Sequence, residues 1–479
     1  MARCKPRAAP LVPWNNVPMD LDPVFLSRLQ FAFVIAFHIL LPAFTVGLAS
    51  FIVLLEGLHV TKRDTLYLRL SIFWTRIFAV SFGMGVVSGI VMPFQFGTNW
   101  SRYSDATSNV LGPLFAYEGL VAFFLEAGFL GILLFGRKRV PPWAHFLAAV
   151  MVAVGTLFSA FWILAANSWM QTPGGHELVD GRFMPASWLD VIFNASFPYR
   201  LAHTVTGFYL TTAFAVLGAT AWHLKHRRNV AESRAVMGMT VIFIAIFVPI
   251  QITAGDLHGL NTLHHQPLKV AAMEGLWDTQ ARAPAVLFAI PDEKAERNRA
   301  EIAIPALASI YLAHSPDAVI KGLKEAPPSD RPPVAPVFFA FRIMVGIGVL
   351  MLGMAVWGVW LRWRGRLYTN RLYQNACIAM IPAGFVAVVA GWTVTEVGRQ
   401  PWVVYGLLRT RDAVSPSLTG ADVLLSLSLY AIVYLIVFGA GIFYMVRLAR
   451  AGPPEHVELR EPKLGERPAR PLSGAEADA

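Results

Sequence analysis

Five side chains of types that can bind iron lie within apolar stretches of this sequence. They are His38, Glu118, His203, Met344 and Glu396. An ionisable side chain inside a membrane is costly, and by default it marks a functional site. Two histidines, a methionine and carboxylates are also the axial-ligand types of haem iron. A single histidine could equally bridge two helices, and a single methionine usually fills space, so the prediction of haem ligands depends on the combination.

These five side chains share one depth. At about 1.5 Å per helical residue, all of them fall in the half of the bilayer nearer to one surface, which the charge pattern below predicts to be the outer one. Arg28, Arg342 and Arg399 lie at that same surface. Guanidinium groups pair with carboxylates in a bidentate manner, so these arginines are candidates for binding haem propionates. The alternative is that each only extends its charge to the interface.

A further carboxylate, Glu126, lies two helical turns deeper than Glu118. Their spacing of eight residues places both toward one side of a helix. Such a pair suits a proton relay that ends near the iron ligands, because carboxylates and hydroxyls can carry protons inside a bundle. Two structural carboxylates would show the same pattern, and Glu126 could instead cap a buried hydroxyl such as that of Ser159.

The composition indicates the kind of molecule that must position these residues. Of 479 residues, 56% are apolar and 15% are charged, against about 25% charged in soluble proteins. Such a chain is not disordered, fibrous or built to wrap nucleic acid, and we expect no nucleic-acid partner. The two cysteines, Cys4 and Cys377, are far apart, which excludes a disulfide scaffold, c-type haem attachment and iron–sulfur clusters.

Nine apolar runs are long enough to cross a bilayer, which needs roughly 20 residues of helix. The sequence therefore predicts an all-α fold, a polytopic membrane bundle of about nine transmembrane helices. The runs lie near residues 25–57, 70–96, 111–136, 142–170, 196–224, 235–254, 335–361, 375–397 and 420–447.

The orientation follows from the distribution of basic residues. The short loops after the odd-numbered spans one to seven hold fourteen Lys and Arg residues, and the other short loops hold six. By the positive-inside rule, the N-terminus is predicted outside and the C-terminus inside.

Three segments lie outside the spans. Residues 1–24 are polar at first and lack the apolar region of a signal peptide, and Met19 is an alternative start. Residues 255–334 form a long, Pro-rich loop, predicted to be periplasmic, and loops of that length are usually functional or disordered. Residues 450–479 are predicted to be a disordered cytoplasmic tail.

Several of these runs resemble subunit I of the cytochrome bd quinol oxidases, from about Met19 to the end of the ninth span. The outer segment GDLHGLNTLHHQPLKVAAMEGLW (255–277) resembles the cyanide-insensitive branch, in its short-loop form. The matching motifs elsewhere are SRLQFAFVIAFH (27–38), FQFGTNW (94–100), EGLVAFFLE (118–126), FAFRIMV (339–345) and GRQPW (398–402).

The resemblance implies three haems. His203 and Met344 match the ligands of a low-spin haem b. His38 matches an axial ligand of one high-spin haem, and Glu396 or Glu118 serves the high-spin pair, a haem b and a haem d or a second b in its place. Trp392 matches a residue of the haem surroundings.

The resemblance also implies substrates and partners. Lys269 and Glu274 match quinol-binding residues. Their spacing of five places them about 140° apart on a helix, so they need not touch, and the alternative is a solvated pair. Ser159, Glu118 and Glu126 match a proton route, although Ala127 stands where some members have serine. Implied partners are oxidase subunit II, a small single-span subunit as a further candidate, membrane lipid, quinol and O2.

We therefore expect a copper-free oxidase of the bacterial inner membrane that oxidises quinol at the outer face and reduces O2 to water with cytoplasmic protons. A haem–copper centre needs several deep histidines, and the one His-His pair, His264-His265, lies in the outer loop. A secondary transporter would show inverted repeats, and none is evident in this sequence. A b-type quinone electron-transfer subunit usually needs bis-histidine pairs, and two deep histidines are too few for two such haems.

Overall fold

The computed structural model describes residues 22–455. Within this range, nine helical stretches are long and apolar enough to cross a membrane. Each corresponds to one predicted span, so the all-α polytopic bundle is confirmed. The stretches are Pro23–Lys62, Thr65–Thr98, Ser101–Phe135, Pro142–Gln171, Phe197–Lys225, Val230–His265, Val334–Trp363, Arg371–Val397 and Gly420–Ala451.

Three of these stretches are divided into shorter helices, and further helices lie in the connections. In chain order the helices are α1 (Pro23–Leu40), α2 (Pro42–Lys62), α3 (Thr65–Thr98), α4 (Ser101–Ala116), a π-helix (Tyr117–Ala122), α5 (Phe123–Phe135), α6 (Pro142–Gln171), α7 (Trp188–Ile192), α8 (Phe197–Lys225), α9 (Val230–His265), α10 (Pro267–Glu274), α11 (Leu307–Ala313), two 3₁₀ turns (Leu323–Glu325 and Pro328–Asp330), α12 (Val334–Trp363), α13 (Arg371–Ala379), α14 (Ala383–Val397), α15 (Thr410–Ala413) and α16 (Gly420–Ala451).

Short strands form four two-stranded antiparallel pairs in the connections. The pairs are β1 (His176–Val179) with β2 (Arg182–Pro185), β3 (Gln280–Ala281) with β6 (Val319–Ile320), β4 (Ala285–Asp292) with β5 (Arg297–Ile304), and β7 (Trp402–Val404) with β8 (Leu408–Arg409).

Local sequence signals explain several helix ends. The side chain of Asp22 accepts a hydrogen bond from the Val24 backbone N–H at 2.9 Å, and Asp64 caps α3 in the same way. Such N-caps satisfy one of the orphan N–H groups of a first turn. The first stretch is divided at Leu41 because Pro42 begins α2, and a proline cannot donate to the preceding turn.

Two elements differ from the sequence-based prediction. The sixth span was expected to end near residue 254, but α9 continues to His265. The third span, expected to begin near residue 111, begins at Ser101. It contains a π-helical turn, Tyr117–Ala122, in which Glu118 lies. Turns of this kind are rare and occur frequently at functional sites.

The segment between α9 and α12 is folded. Buried Val270, Trp277 and Leu323 belong to one apolar cluster. The segment also packs on α12, because the Arg342 guanidinium donates to the carbonyls of Met273 (2.6 Å) and Val286 (2.9 Å from Nε). We call the end of the bundle that carries residues 266–333 the loop side, and the opposite end the basic side. The tail prediction falls mostly outside the described residues, as does Met19, and α16 runs to Ala451.

A buried polar cluster joins four helices near the basic side. Glu56 of α2 is 1% exposed. It accepts from Arg137 at 2.6 Å, from His145 of α6 at 3.2 Å and from Ser71 of α3. The other ring nitrogen of His145 lies 3.1 Å from the Leu133 carbonyl of α5. The Glu56 carboxylate therefore ties together helices that otherwise meet through apolar contacts.

We expect Glu56→Leu to destabilise the bundle. The substitution leaves Arg137 and buried His145 without their carboxylate, and breaking a buried pair on one side costs roughly 3 kcal/mol. Thermal unfolding of the purified protein measures the loss. Asp105→Leu is the control, because it removes an exposed ion pair with Arg182 and should cost less than about 1 kcal/mol. Equal losses in the two variants would contradict the clamping role of Glu56.

Candidate functional site

His38 lies near the C-terminal end of α1 and faces α3. Its Nδ1 atom is 2.9 Å from Ser88 Oγ, so the hydroxyl orients the ring and leaves Nε2 for another partner. The neighbouring residue on α3 is Gly89, and a Cβ there would lie 3.2 Å from His38 Cε1. The glycine therefore allows the imidazole edge to lie against the α3 backbone.

His203 on α8 faces a set of residues on α9 that the sequence-based reading missed. The Gln251 amide nitrogen is 3.2 Å from His203 Nδ1. A Cβ at Gly255 would lie 3.1 Å from His203 Cε1. The His258 ring centroid is 5.6 Å from that of His203. Residues 251, 255 and 258 are spaced i, i+4 and i+7, the interval of one helix face, and this spacing is the signal that could have identified them.

Met344 on α12 lies against α14. A Cβ at Gly391 would be 2.9 Å from the Met344 sulfur, which is closer than side chains normally pack. Each of the three candidate ligands His38, His203 and Met344 is thus opposed by a glycine of a neighbouring helix. A larger residue at any of these three glycines would push the opposing candidate ligand out of its present position.

Glu396 near the C-terminal end of α14 is the centre of a polar network. It accepts from Asn167 at 2.9 Å and from Gln171 at 3.3 Å, and it pairs with Arg399. Asn167 in turn accepts from Arg200 at 2.7 Å. The sequence-based reading identified Glu396 and Arg399 but missed the two α6 amides and Arg200. The two amides were missed because an uncharged polar residue within an apolar run does not by itself indicate a functional site.

Two residues near this network, Arg399 and Trp392, carry three buried donor atoms that lack acceptors among the described residues. Arg399 is 4% exposed. Within residues 22–455, neither its Nε nor its Nη1 has a hydrogen-bond partner, and the same holds for Trp392 Nε1. Buried polar groups are normally satisfied, so unpaired donors next to Glu396 fit an anionic group such as a haem propionate.

The other two candidate arginines differ from Arg399. The Arg342 guanidinium is engaged with the backbone of the loop side, as described above, and it lies 3.9 Å from the Glu274 carboxylate. The structure therefore gives Arg342 a role in attaching residues 266–333 to α12. Arg28 is half-buried on α1.

Lys269 and Glu274 both lie on α10 and are 3% and 2% exposed, so the alternative of a solvated pair is wrong. They face different partners, as their spacing predicted. Lys269 Nζ donates to Gln171 Oε1 at 2.6 Å, and burial, with Arg200 and Arg399 adding, lowers the pKa of Lys269 well below its usual value. Burial raises the pKa of Glu274, against the opposing effects of Tyr311 and Arg342.

Glu118 and Glu126 have different environments. Ser159 Oγ of α6 donates to Glu118 Oε1 at 2.8 Å, so the expectation that Ser159 is capped by Glu126 is wrong. Glu126 is 6% exposed, and its Oε1 has no hydrogen-bond partner among the described residues. A Cβ at Gly155 would lie 2.5 Å from Glu126 Cγ. The pair thus brings one satisfied and one unsatisfied carboxylate together with a hydroxyl.

Comparison with known proteins decides the family. The family model described as cytochrome bd terminal oxidase subunit I matches residues 26–453. The chain belongs to this family. Cytochrome bd ubiquinol oxidase subunit 1 of Bacillus subtilis is 35% identical and aligns over 90% of this chain and 94% of its own length. Cytochrome bd-II ubiquinol oxidase subunit 1 of Escherichia coli is 33% identical over 90% and 97%.

A solved structure agrees with this assignment. The bd oxidase from Geobacillus thermodenitrificans superposes with a TM-score of 0.83 at 30% identity, covering 90% of this chain and 99% of that one. The chain is therefore a multi-pass membrane protein of a respiratory terminal oxidase, and the family implies haem cofactors. Membership of this family excludes the secondary transporter and the b-type quinone electron-transfer subunit.

If Met344 is a haem ligand, as the sequence predicts, we expect Gly391→Ala to disturb that haem. The new methyl group would displace the methionine sulfur, which lies at the flexible end of its side chain, without preventing the helices from packing. The low-spin band of the reduced-minus-oxidised visible spectrum should weaken or shift. Gly346→Ala on α12 is the control, because a Cβ there meets nothing within 4 Å. A spectrum unchanged in both variants would contradict a ligand role for Met344.

Proposed function

We propose that this chain is the haem-bearing subunit of a copper-free quinol:O2 oxidoreductase of the bacterial inner membrane, in the short-loop, cyanide-insensitive branch. The observation that supports this most is the placement of buried Lys269 next to the helix end that carries Glu396. A residue expected at the quinol and a residue expected at a haem are separated by a single side chain, Gln171. The loop side is then the outer face, with the N-terminus outside.

The candidate ligands divide between three haems. We assign His203 and Met344 to a low-spin haem b. His38 and Glu396 serve the high-spin pair, haem b with haem d or a second b, and Glu118 is the alternative carboxylate. Arg399 and Trp392 would bind propionates through their unpaired donors. When bound, the haems supply the electron transfer and the reduction of O2 to water.

Lys269 and Glu274 accept the protons that the quinol releases. A quinol must lose protons as it is oxidised, and a group that accepts them works best with a pKa near the ambient pH. Burial lowers the pKa of Lys269 and raises that of Glu274. Both pKa values therefore move toward neutral pH. Lys269 can then offer a neutral amine to a quinol hydroxyl, and Glu274 can hold a proton before its release outside.

The protons for water formation come from the cytoplasm. Glu126 lies on the basic-side half of the third span, with an oxygen that no described group satisfies. Glu118, further toward the loop side, accepts from Ser159. We assign the inward route to Glu126 and then to Ser159 and Glu118. Charge separation across the membrane follows because quinol protons leave on one side and chemical protons enter from the other.

The partners follow from the family. Oxidase subunit II would cover part of the apolar surface, lipid the rest, and a small single-span subunit is a further candidate. Purification of the complex with subunit II, followed by quinol-dependent O2 consumption and a visible spectrum, tests the proposal as a whole. Absence of haem bands, or of quinol-dependent O2 consumption, would reject it.

We expect Lys269→Met and Glu274→Gln to slow quinol oxidation by about 10²-fold, the usual contribution of a positioned acid or base. All haem bands should be present, and O2 consumption with an artificial reductant that bypasses the loop should persist. Lys324→Met is the control, because Lys324 lies in the same segment but pairs at the surface with Asp278. Normal quinol turnover in both loop variants would remove them from the quinol site.

We expect Glu126→Gln to slow O2 reduction roughly tenfold or more with the haems bound, because an amide of the same shape cannot release a proton. The membrane voltage that follows a rapid oxygen pulse should rise more slowly, and Glu126→Asp should retain part of the rate. Glu232→Gln, which changes a carboxylate paired with Arg69, is the control. Full activity of Glu126→Gln would reject its place on the route.

A further inference from the structure

Gln171 lies where three parts of the protein meet. It is the last residue of α6 and is 1% exposed. Its Oε1 accepts from Lys269 Nζ at 2.6 Å and from Gln266 Nε2 at 3.2 Å. Its Nε2 donates to Glu396 Oε1 and to the Thr395 carbonyl, each at 3.3 Å. One side chain therefore joins α6, the loop-side residues around α10, and the end of α14.

The neighbours of Gln171 explain why an amide stands there. A carboxamide presents an acceptor at one atom and two donors at the other. The acceptor faces Lys269 and the donors face the Glu396 carboxylate. The reversed orientation would place an NH2 group against a lysine nitrogen and a carbonyl against a carboxylate. A glutamate could accept from Lys269 but would repel Glu396, and a leucine would leave Lys269 without its acceptor and remove one donor from Glu396.

Packing as well as hydrogen bonds holds the Lys269 side chain against the end of α14. A Cβ at Gly398 would lie 2.9 Å from Lys269 Cγ, so the lysine stem crosses directly over the end of α14. Within the described residues, Gln171 is the one side chain that accepts a hydrogen bond from Lys269. Glu396 has Asn167 and Arg399 as further partners. Lys269 therefore reaches the Glu396 carboxylate by hydrogen bonds through the Gln171 side chain, and its stem touches the end of α14 directly at Gly398.

We propose that Gln171 is a positioning residue that couples the Lys269 site to the Glu396 site. The inference rests on the proposed function, in which Lys269 meets quinol and Glu396 serves a haem. Occupation of the loop site changes the hydrogen bond that Lys269 gives to Gln171, and this alters the bond that Gln171 gives to Glu396. Coupling between two sites is reciprocal, so a change at Glu396 also alters binding at Lys269.

A double-mutant cycle tests the coupling in the complete complex. The readout is the midpoint potential of the haem whose band is lost in Glu396→Ala, measured by spectroscopic redox titration. Lys269→Met should shift this potential in the protein with Gln171. The same substitution should give a clearly smaller shift in the Gln171→Leu background, because the hydrogen-bonded connection is gone and only the contact at Gly398 remains. Residues that act through one another are non-additive in such a cycle.

A second variant keeps the test informative if Gln171→Leu does not assemble. Gln171→Glu retains the acceptor for Lys269 and loses the donor for Glu396. It should leave the KM for a short-chain quinol near the wild-type value while shifting the same haem potential. Gln374→Leu is the control, because Gln374 is an equally buried amide whose Nε2 bonds to the Tyr368 carbonyl, and it should change neither quantity.

The outcomes separate this inference from the proposed function. An equal shift from Lys269→Met in both backgrounds, no shift in either, or an unshifted potential in Gln171→Glu would overturn the coupling role. In each of these cases the wild-type complex would still oxidise quinol and show its haem bands. If the wild-type complex lacks quinol oxidation or haem, the proposed function itself fails.

Discussion

The rest of this structure depends on one constraint, the need of buried polar side chains to satisfy one another inside an apolar bundle. The helices are apolar over most of their surface, and water does not reach the groups between them. Burying a charge is costly unless the charge is paired and hydrogen-bonded. On the loop side, Glu396 meets this requirement with Arg399, Asn167 and Gln171, and Asn167 extends the network to Arg200. These bonds fix the ends of three helices relative to one another.

The same constraint operates near the opposite end of the bundle with different residues. Glu56 is surrounded by Arg137, His145 and Ser71, and this closed cluster holds the helices in register. Between the two networks lie Glu118, which accepts from Ser159, and Glu126, whose buried Oε1 has no partner among the described residues. The contrast has a physical meaning. The Glu56 carboxylate, which has three hydrogen-bond donors, serves as a structural anchor, whereas the unsatisfied buried oxygen of Glu126 suits that carboxylate to exchange a proton.

Close approach of helices is the second condition for the site. Glycines oppose His38, His203 and Met344 on adjacent helices. A side chain at those positions would fill the space beside each ligand, so the backbone itself forms the walls of the proposed haem pockets. The donors left unpaired on Arg399 and Trp392 lie beside the same region. Protein packing thus leaves buried donors on Arg399 and Trp392 that a haem propionate would satisfy.

The sequence by itself determined the number of spans and the positions of the ligand-type residues, and its resemblance to a known family pointed to Lys269 and Glu274. Apolar length and ionisable residues within apolar runs are local properties, so they can be read without a structure. Only the tertiary structure decided which partners these residues have. Gln171 and Asn167 gave no comparable signal, because uncharged polar residues acquire meaning only when another helix is packed against them, and the spacing of Gln251 and His258 shows a shared helix face but not what faces it. Likewise, α9 extends beyond its apolar run and residues 266–333 fold, since contacts between segments distant in sequence stabilise both.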